Sequence, residues 1–279
     1  MERRWCAQGS ALVREIEQTC PAPGSLALWY LGQCGFAVKG GVSLLIDPVL
    51  CDLTGPDGAT RRLYPPPFAP TAIKPDYVLC THGHLDHLQP ETVAAIAQSS
   101  PETRFILPGG CSAQALALGV AADRLIEARA GEPLELPGVT VTPVRAEHPV
   151  AALTPEGAEL ALCYRLQLNG VSLLHLGDTY LTARLLEDLQ TLGSPDLLCL
   201  PINGGDYFRT ARDCIGNLNP REAATLATLL GAHTVIPTHF DMIMGNTCNP
   251  LTFVEELWQQ NPAARWRLPA LGERLWWQK

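Results

Sequence analysis

The sequence predicts an α/β protein, a four-layer αβ/βα sandwich in which two mixed β-sheets pack face to face with helices outside. Hairpin-linked strands are followed by alternating strands and helices, and this succession occurs once in each half of the chain. Between residues 76 and 257 no segment is long and polar enough to separate domains. We therefore expect one domain over residues 1–279, with residues 1–24 as an N-terminal helical arm.

The chain opens with apolar residues at helical spacing. Leu12, Val13 and Ile16 fall on one face of a short helix, which ends at the prolines and glycine of segment 21–24. Three apolar strands follow at 26–31, 35–39 and 42–46, the last two joined by a pair of glycines that predicts a hairpin turn. Residues 51–75 are rich in proline and glycine and predict a long loop near a bound molecule.

Strands and helices alternate from residue 76 onwards. We expect strands at 77–80, 104–107, 125–128 and 139–147, with helices at 91–98 and 112–118. The pair Asn169-Gly170 then predicts a hairpin between strands 160–168 and 171–176, because this dipeptide favours the turn that such hairpins need. The alternation resumes with helices at 182–192, 220–230 and 251–260 and strands at 197–202, 234–237 and 273–277.

Composition narrows the class of partner. The net charge is −8 and no run of Lys and Arg exceeds two residues, so a nucleic-acid partner is not expected. No apolar stretch approaches the roughly eighteen residues of a membrane span. The first residues lack the apolar region of a secretory signal. The ten cysteines form no CxxC pair, which fits a reducing cytoplasm. We expect a cytoplasmic protein.

Segment 82–87, with the sequence HGHLDH, carries the strongest chemical signal in the chain. It follows an apolar run that predicts a buried strand. In an extended chain His82 and His84 project to the same side, and Asp86 and His87 follow on the turn into the next helix. Imidazole and carboxylate groups are ligands for Zn²⁺, Mn²⁺ and Fe. Since three of only seven histidines fall here, the motif predicts a metal site rather than a solvated polar loop.

Three further residues stand where a predicted buried strand ends. His148, Asp178 and His239 each follow an apolar strand directly or within two residues. Taken singly, such residues are usually hydrogen-bonded surface groups, turn formers or helix caps. Their shared position beside the HGHLDH motif predicts that they complete a metal site. His175, inside a strand, and His233, at the start of one, are assigned to structure, with support of the site as an alternative for His175.

This set of residues resembles the metallo-β-lactamase superfamily, whose αβ/βα fold matches the layout predicted above. The resemblance implies a first metal held by His82, His84 and His148, a second held by Asp86, His87 and His239, and Asp178 as the bridge between them. Asp47, which ends strand 42–46, matches the family's buried aspartate that supports the site without binding metal directly.

Segments 22–36, 45–48 and 235–241 are similar to the ascorbate-6-phosphate lactonase branch of that superfamily, with similarity running from about residue 22 to residue 262. The branch implies a metal-dependent hydrolase that opens a lactone of a small, phosphorylated sugar acid. Two divalent ions about 3.5–4 Å apart would share a water molecule and present a metal-bound hydroxide as nucleophile. Asp178 would bridge the ions, and Asp86 would orient that water or accept its proton. Nitrogen and oxygen ligands permit Zn²⁺ and suit Mn²⁺ or Fe, and the branch favours Mn²⁺.

Substrate contacts are expected from the loop that follows strand 197–202. Asn203 comes directly after this strand, and Arg209 and Arg212 would grip an anionic group such as phosphate or carboxylate. The alternative is an ordinary turn into a helix with solvated arginines. Both interpretations stay open from the sequence.

Two other functions stay open as well. The same metal site would also suit a phosphodiester, in a cyclic nucleotide or an N-acyl phosphatidylethanolamine-like lipid. A non-catalytic, metal-stabilised binding protein is the third option, which the complete set of seven ligands disfavours. The expected partner is a small anionic molecule, and the N-terminal helical arm makes a homo-oligomer an option.

Overall fold

Two mixed β-sheets form the centre of the molecule. The computed structural model describes residues 5–55, 59, 61–148, 153–212 and 214–279. In this part of the chain the first sheet contains β1 (Ser25–Gly32), β2 (Gly35–Lys39), β3 (Ser43–Ile46), β4 (Tyr77–Leu79), β5 (Arg104–Pro108), β6 (Leu125–Ala128) and the C-terminal β14 (Arg274–Gln278). The second sheet contains β7 (Leu134–Leu136), β8 (Val139–Arg145), β9 (Leu162–Leu168), β10 (Val171–His175), β11 (Leu197–Pro201), β12 (Thr234–Thr238) and β13 (Arg265–Trp266).

The two sheets share one topology. In the first, β14, β1, β2 and β3 are antiparallel neighbours and β3 to β6 are parallel. In the second, β7, β8, β9 and β10 are antiparallel neighbours and β10 to β13 are parallel. Strands β3 and β4 therefore end at one edge of the first sheet. Strands β8, β10, β11 and β12 run in one direction and end together at one edge of the second.

Helices cover the outer face of each sheet. They are α1 (Gly9–Gln18), α2 (Pro90–Ser99) and α3 (Ser112–Ala117) on the first sheet, and α4 (Ala183–Thr191), α6 (Pro220–Leu229) and α7 (Pro250–Gln260) on the second, with the short α5 (Tyr207–Thr210) in the loop after β11. The inner faces meet in a third apolar layer, where Leu28 and Phe36 of the first sheet and Leu166 and Leu173 of the second are fully buried. Three apolar layers between four layers of structure confirm the predicted αβ/βα sandwich.

The predicted elements agree with the structure apart from small shifts at their ends. Strands β7 and β13 and helix α5 were not predicted, because they have only three, two and four residues. The predicted strand 139–147 ends at Arg145, so that His148 lies in a loop three positions after the strand rather than directly after it. Among the described residues, no helix is both long and apolar enough to cross a membrane.

The N-terminal helix is part of the first apolar layer. Helix α1 spans Gly9–Gln18, and its residues Leu12, Val13 and Ile16 are buried against the first sheet. Of the predicted arm, residues 1–4 lie outside the described residues. Of the predicted loop 51–75, residues 56–58 and 60 lie outside them too. The described part of this loop is tied to the end of the second sheet by a bridge between Arg62 and Ile243.

A single truncation tests the layer between the sheets. Leu166, at the middle of β9, is fully buried there, so Leu166→Ala removes apolar contacts and leaves a cavity. We expect the free energy of unfolding in urea to fall by about 2–5 kcal/mol. Leu229→Ala on α6, where the side chain is 49% exposed, is the matched control and should change it by less than about 0.5 kcal/mol. An equal loss of unfolding free energy in the two variants would contradict the placement of Leu166 in the buried layer between the sheets.

Candidate metal centre

The ends of co-directional strands of both sheets bring all seven predicted ligand residues into one cluster. Residues 82–87 follow β4 in the first sheet, while His148, Asp178 and His239 follow β8, β10 and β12 in the second. A backbone bond from Leu162 N to the Thr81 carbonyl (2.9 Å) joins the two sheets beside this cluster. Within it, ligand atoms of several groups of three residues lie no more than 4.8 Å apart.

The first group consists of His82, His84 and His148. The distance from His82 Nε2 to His84 Nδ1 is 2.8 Å, and the distance from His148 Nε2 to the same atom is 3.3 Å. The Thr81 hydroxyl lies 3.2 Å from His82 Nδ1 and itself donates to the Asp47 carboxylate. We therefore assign the proton of His82 to Nδ1, which leaves the Nε2 lone pair directed at the other two imidazoles.

The second group consists of Asp86, His87 and His239. Asp86 Oδ2 lies 3.2 Å from His239 Nε2 and 3.7 Å from His87 Nε2. Asp178 stands between the two groups. Its Oδ1 is 3.3 Å from His87 Nε2, and its Oδ2 is 3.1 Å from His239 Nε2 and 3.7 Å from His148 Nε2. One carboxylate thus faces ligand atoms of both groups.

Asp47 supports this arrangement through hydrogen bonds to Thr81 and His87. Its Oδ1 accepts from the Thr81 backbone N–H at 2.7 Å, and its Oδ2 accepts from the Thr81 hydroxyl at 2.8 Å. His87 Nδ1 lies 2.8 Å from the same Oδ2, with both side chains fully buried. This bond places the His87 proton on Nδ1 and leaves Nε2 as a buried atom without a hydrogen-bond partner. A buried imidazole nitrogen without a hydrogen-bond partner, among carboxylates and other imidazoles, fits a divalent metal ion that would take the place of a proton there.

Burial and charge divide the histidines of the cluster into two kinds. Burial lowers the pKa of His148 to about 4 and lowers the pKa of His82 well below its usual value. Burial alone would also lower the pKa of His239, but Asp178 and Asp86 outweigh it and raise that pKa to about 9. Burial acts to raise the pKa of Asp86, yet His87 and His239 hold it well below its usual range. His239 and His87 likewise outweigh burial and hold the pKa of Asp178 well below its usual value, so Asp86 and Asp178 are ionised at neutral pH.

Comparison with known proteins assigns the chain to a family. A model of the beta-lactamase superfamily domain matches residues 43–240, which is more than half of the chain. The chain belongs to the metallo-β-lactamase superfamily. The family and the fold that the sequence predicted are therefore both confirmed, and so is the general prediction of a metal-dependent hydrolase.

Several proteins are similar to this superfamily member at 16–26% sequence identity. Probable L-ascorbate-6-phosphate lactonase UlaG of Shigella boydii serotype 4 is 26% identical over 270 residues, which cover 84% of this chain and 75% of that protein. Igni18, a metallo hydrolase of Ignicoccus hospitalis, superposes with a TM-score of 0.68 at 21% identity, over 91% of this chain and 99% of that one. An isothiocyanate hydrolase from Delia radicum gut bacteria superposes with a TM-score of 0.71 at 16% identity, over 90% of this chain and 99% of that one. The two structures share the fold of this chain.

Backbone conformation in this superfamily member is unusual at the metal centre. Of the described residues other than glycine, four have positive φ, and one of these, Asn169, forms the predicted hairpin turn. The other three are Gln33 (φ 58°), Asp47 (φ 42°) and His239 (φ 56°), all in or beside the cluster. Left-handed backbone at such residues is costly and tends to occur at functional sites.

Sequence analysis missed Gln33 and Asp241. Gln33 Nε2 donates to Asp86 Oδ2 at 2.8 Å. Asp241 Oδ1 accepts from the Gln33 backbone N–H at 3.1 Å and from the Tyr64 hydroxyl at 2.9 Å. The one available signal was position, because Gln33 lies between two strands and Asp241 comes two residues after His239. His175 is buried and uses both ring nitrogens on backbone groups of Cys34 and Gly177, as a structural residue would.

The predicted substrate contacts lie in the loop after β11, between the strands that carry Asp178 and His239. Asn203 is buried and bonded to Asn246 (3.0 Å), and Arg209 pairs with Asp206 (2.6 Å) and donates to the Asn203 carbonyl. Arg212 is exposed, and its Nε donates to the Phe208 carbonyl. A cavity of about 450 Å³ is lined by Arg61, Arg209, Arg212, Cys214, Ile243, Met244, Gly245 and Asn246.

Metal binding at this centre should release protons. With a pKa of about 9, His239 is protonated at pH 7, whereas His148, with a pKa of about 4, is neutral. A cation that takes the Nε2 lone pair of His239 must displace its proton, so the metal affinity should rise with pH until about pH 9. Calorimetric titration of metal in two buffers with different ionisation enthalpies measures the released protons.

His233→Asn serves as the control for this titration, since His233 precedes β12 at the end opposite His239 and lies beside Trp277 and Arg265. The variant should release as many protons as the unaltered protein. Binding at pH 7 without proton release would contradict the protonated state assigned to His239.

Proposed function

We propose that the protein is a binuclear metallohydrolase that opens the lactone ring of a small, phosphorylated sugar acid. The observation that carries the proposal is the pair of ligand groups that share Asp178, whose two oxygens lie 3.1–3.7 Å from imidazole nitrogens of both groups. The similarity to a protein named as a probable L-ascorbate-6-phosphate lactonase supports a lactone as the substrate. Two metals in one site, held by residues from both sheets, are typical of enzymes that activate water.

The ligand sets suggest which metals would bind. One ion would be held by His82, His84 and His148, and the other by Asp86, His87 and His239. Asp178 would bind both ions. None of these ligands is a thiolate, so Mn²⁺, Zn²⁺ and Fe all suit the donor set. When bound, two such ions supply Lewis acidity, which makes water acidic enough to deprotonate near neutral pH and polarises the carbonyl oxygen under attack.

The reaction itself requires little more than one water molecule. Its oxygen joins the lactone carbonyl carbon, the ring oxygen leaves and takes a proton, and the new carboxylic acid ionises. Asp86 remains anionic at neutral pH because His87 and His239 keep its pKa low. We infer that it orients the attacking water as a hydrogen-bond acceptor. Asp47 keeps His87 in the tautomer that presents Nε2 to the site.

Recognition of the anionic group is assigned to the arginine-lined cavity. Arg209 is only 12% exposed and already engages Asp206, Asn203 and Asn246, so its role is to hold the loop in shape. Arg212 lines the same cavity with its guanidinium near Gly245, and we assign it the direct contact with phosphate or carboxylate.

A phosphodiester with an apolar group is the second candidate substrate, and one observation favours it. Large apolar side chains are exposed on the loops of this edge: Tyr207 and Phe208 on α5, Met244 in the lining of the arginine cavity, and Leu85 within the HGHLDH motif. Residues Tyr64 and Phe68 do not contribute, because both are buried. An apolar rim beside cationic groups would suit an N-acyl phosphatidylethanolamine-like molecule.

The first experiment measures hydrolysis by protein loaded with Mn²⁺ or Zn²⁺. We expect opening of L-ascorbate 6-phosphate or a related phosphorylated lactone, with Asp178→Asn lowering kcat/KM by at least about 100-fold, because the carboxylate shared by both ligand groups is lost. His233→Asn should leave kcat/KM unchanged. Cleavage of cyclic nucleotides or N-acyl phosphatidylethanolamine instead would select the second candidate. Protein with two bound metals that hydrolyses neither class would overturn the proposed activity.

Arg212→Ala tests the anion contact. Loss of one charge-assisted hydrogen bond should raise KM for a phosphorylated lactone by roughly 10-fold and leave kcat nearly unchanged. The KM for the same lactone without phosphate should not move. Arg267→Ala, an exposed arginine at the other end of the second sheet, is the control. An unchanged KM for the phosphorylated substrate would show that Arg212 does not bind the anionic group of the substrate.

A further inference from the structure

Gln33 is held at the metal centre by its own backbone. It lies between β1 and β2, is fully buried and has a φ of 58°. Its N–H donates to Asp241 Oδ1 at 3.1 Å, and its carbonyl accepts from the His239 N–H at 2.8 Å and from the Tyr30 hydroxyl at 3.2 Å. Because these bonds fix the main chain, only rotation of the side chain changes what the carboxamide faces.

The two polar atoms of the Gln33 carboxamide, Nε2 and Oε1, differ in their hydrogen-bond contacts. Nε2 lies 2.8 Å from Asp86 Oδ2 and 3.0 Å from His239 Nε2. Oε1 is buried and has no hydrogen-bond partner. A buried carbonyl oxygen without a partner is costly, and most such atoms in proteins are satisfied. The amide nitrogen thus lies between two ligand atoms of the second group, and the oxygen lacks the positive charge or donor that it needs.

Asp86 Oδ2 cannot serve the amide and a cation with the same lone pair. A cation held by Asp86, His87 and His239 would present positive charge to the carboxamide, and the amide atom that suits it is the oxygen. A half-turn about the Cγ–Cδ bond exchanges oxygen and nitrogen without moving the backbone, since the two ends have nearly the same shape. This exchange would give Oε1 the positive charge of the cation and place the Nε2 group where Oε1 now lies.

We propose that Gln33 is an additional ligand of the second metal, through Oε1, and that it biases this position towards Mn²⁺ or Fe over Zn²⁺. The inference rests on the proposed two-metal site. With Gln33 the second position has three oxygen donors (Asp86, Asp178 and Gln33) and two imidazoles. Zn²⁺ usually takes four ligands, whereas oxygen-rich sets of higher number suit Mn²⁺ and Fe. The position of Gln33 thereby sets metal preference as well as affinity.

The test is metal titration of Gln33→Met, which keeps the length of the side chain and removes both polar atoms. Calorimetry should show that the affinity for the second equivalent of Mn²⁺ falls by about 10–100-fold. The affinity for the first equivalent of Mn²⁺ should not change. The affinity for the second equivalent of Zn²⁺ should fall less than that for Mn²⁺. Low-temperature electron paramagnetic resonance should show loss of the spin-coupled Mn²⁺ pair at equal loading. Gln33→Glu, which retains a ligating oxygen, should keep the pair.

Gln114→Met is the matched control. Gln114 donates to the Gly83 carbonyl at 3.1 Å, on the side of the metal loop that faces α3, and this variant should leave both equivalents unchanged. If Gln33→Met does not fold, by circular dichroism, the Gln33→Glu titration decides, because an anionic ligand should tighten the second equivalent.

Unchanged second-equivalent affinity in Gln33→Met, or equal losses at both equivalents, would overturn the assignment. So would a single Mn²⁺ equivalent in the unaltered protein, which would also remove the two-metal proposal. A protein that binds two metals with this dependence on Gln33 but opens no lactone would refute the proposed substrate alone.

Discussion

The carboxylate of Asp47 is the group on which the geometry of the centre depends. It is fully buried, and a buried carboxylate is stable only when hydrogen bonds replace its hydration. Three bonds do so, from the Thr81 N–H, the Thr81 hydroxyl and His87 Nδ1. A fourth, from the Asp47 N–H to the Leu79 carbonyl, ties the same residue to β4. Together they fix where the HGHLDH loop leaves the first sheet and which nitrogen of His87 faces the metal site. Asp47 also has a left-handed backbone (φ 42°), whose cost these bonds help to offset.

The predicted ligands His148, Asp178 and His239 come from the second sheet, so the candidate centre lies across the boundary between the two halves. Each half has the same strand topology, and each contributes ligands at the edge where co-directional strands end. The apolar layer between the sheets sets the distance between these two edges. Small changes in packing there would therefore shift His148, Asp178 and His239 relative to the loop after β4. Catalytic geometry and core packing are therefore coupled in this fold.

Much of this arrangement could be predicted from local sequence. Short stretches of residues are enough to predict the HGHLDH motif, the strand ends before Asp178 and His239, and the turn at Asn169. Gln33 could not be predicted, since its contacts with Asp86 and His239 span 53 and 206 positions and a glutamine beside glycines is typical of an ordinary turn. Strand β13 has two residues and exists only because β12 offers it an edge. The sequence also left the role of Arg209 open. The structure shows that Asp206, three residues earlier, already engages it.

The order of the ligands along the chain has a consequence for how the protein is made. His82 and His84 are synthesised early, His148 completes their group near the middle of the chain, and His239 completes the other group 40 residues before residue 279. A ribosome adds about 5–20 residues each second, so the two groups become complete several seconds apart. During that interval the nascent chain carries all three imidazoles of the first proposed ligand group, while His239 of the second does not yet exist. A metal offered during translation would therefore meet the first proposed group before the second, and before the finished fold exerts any preference between ions.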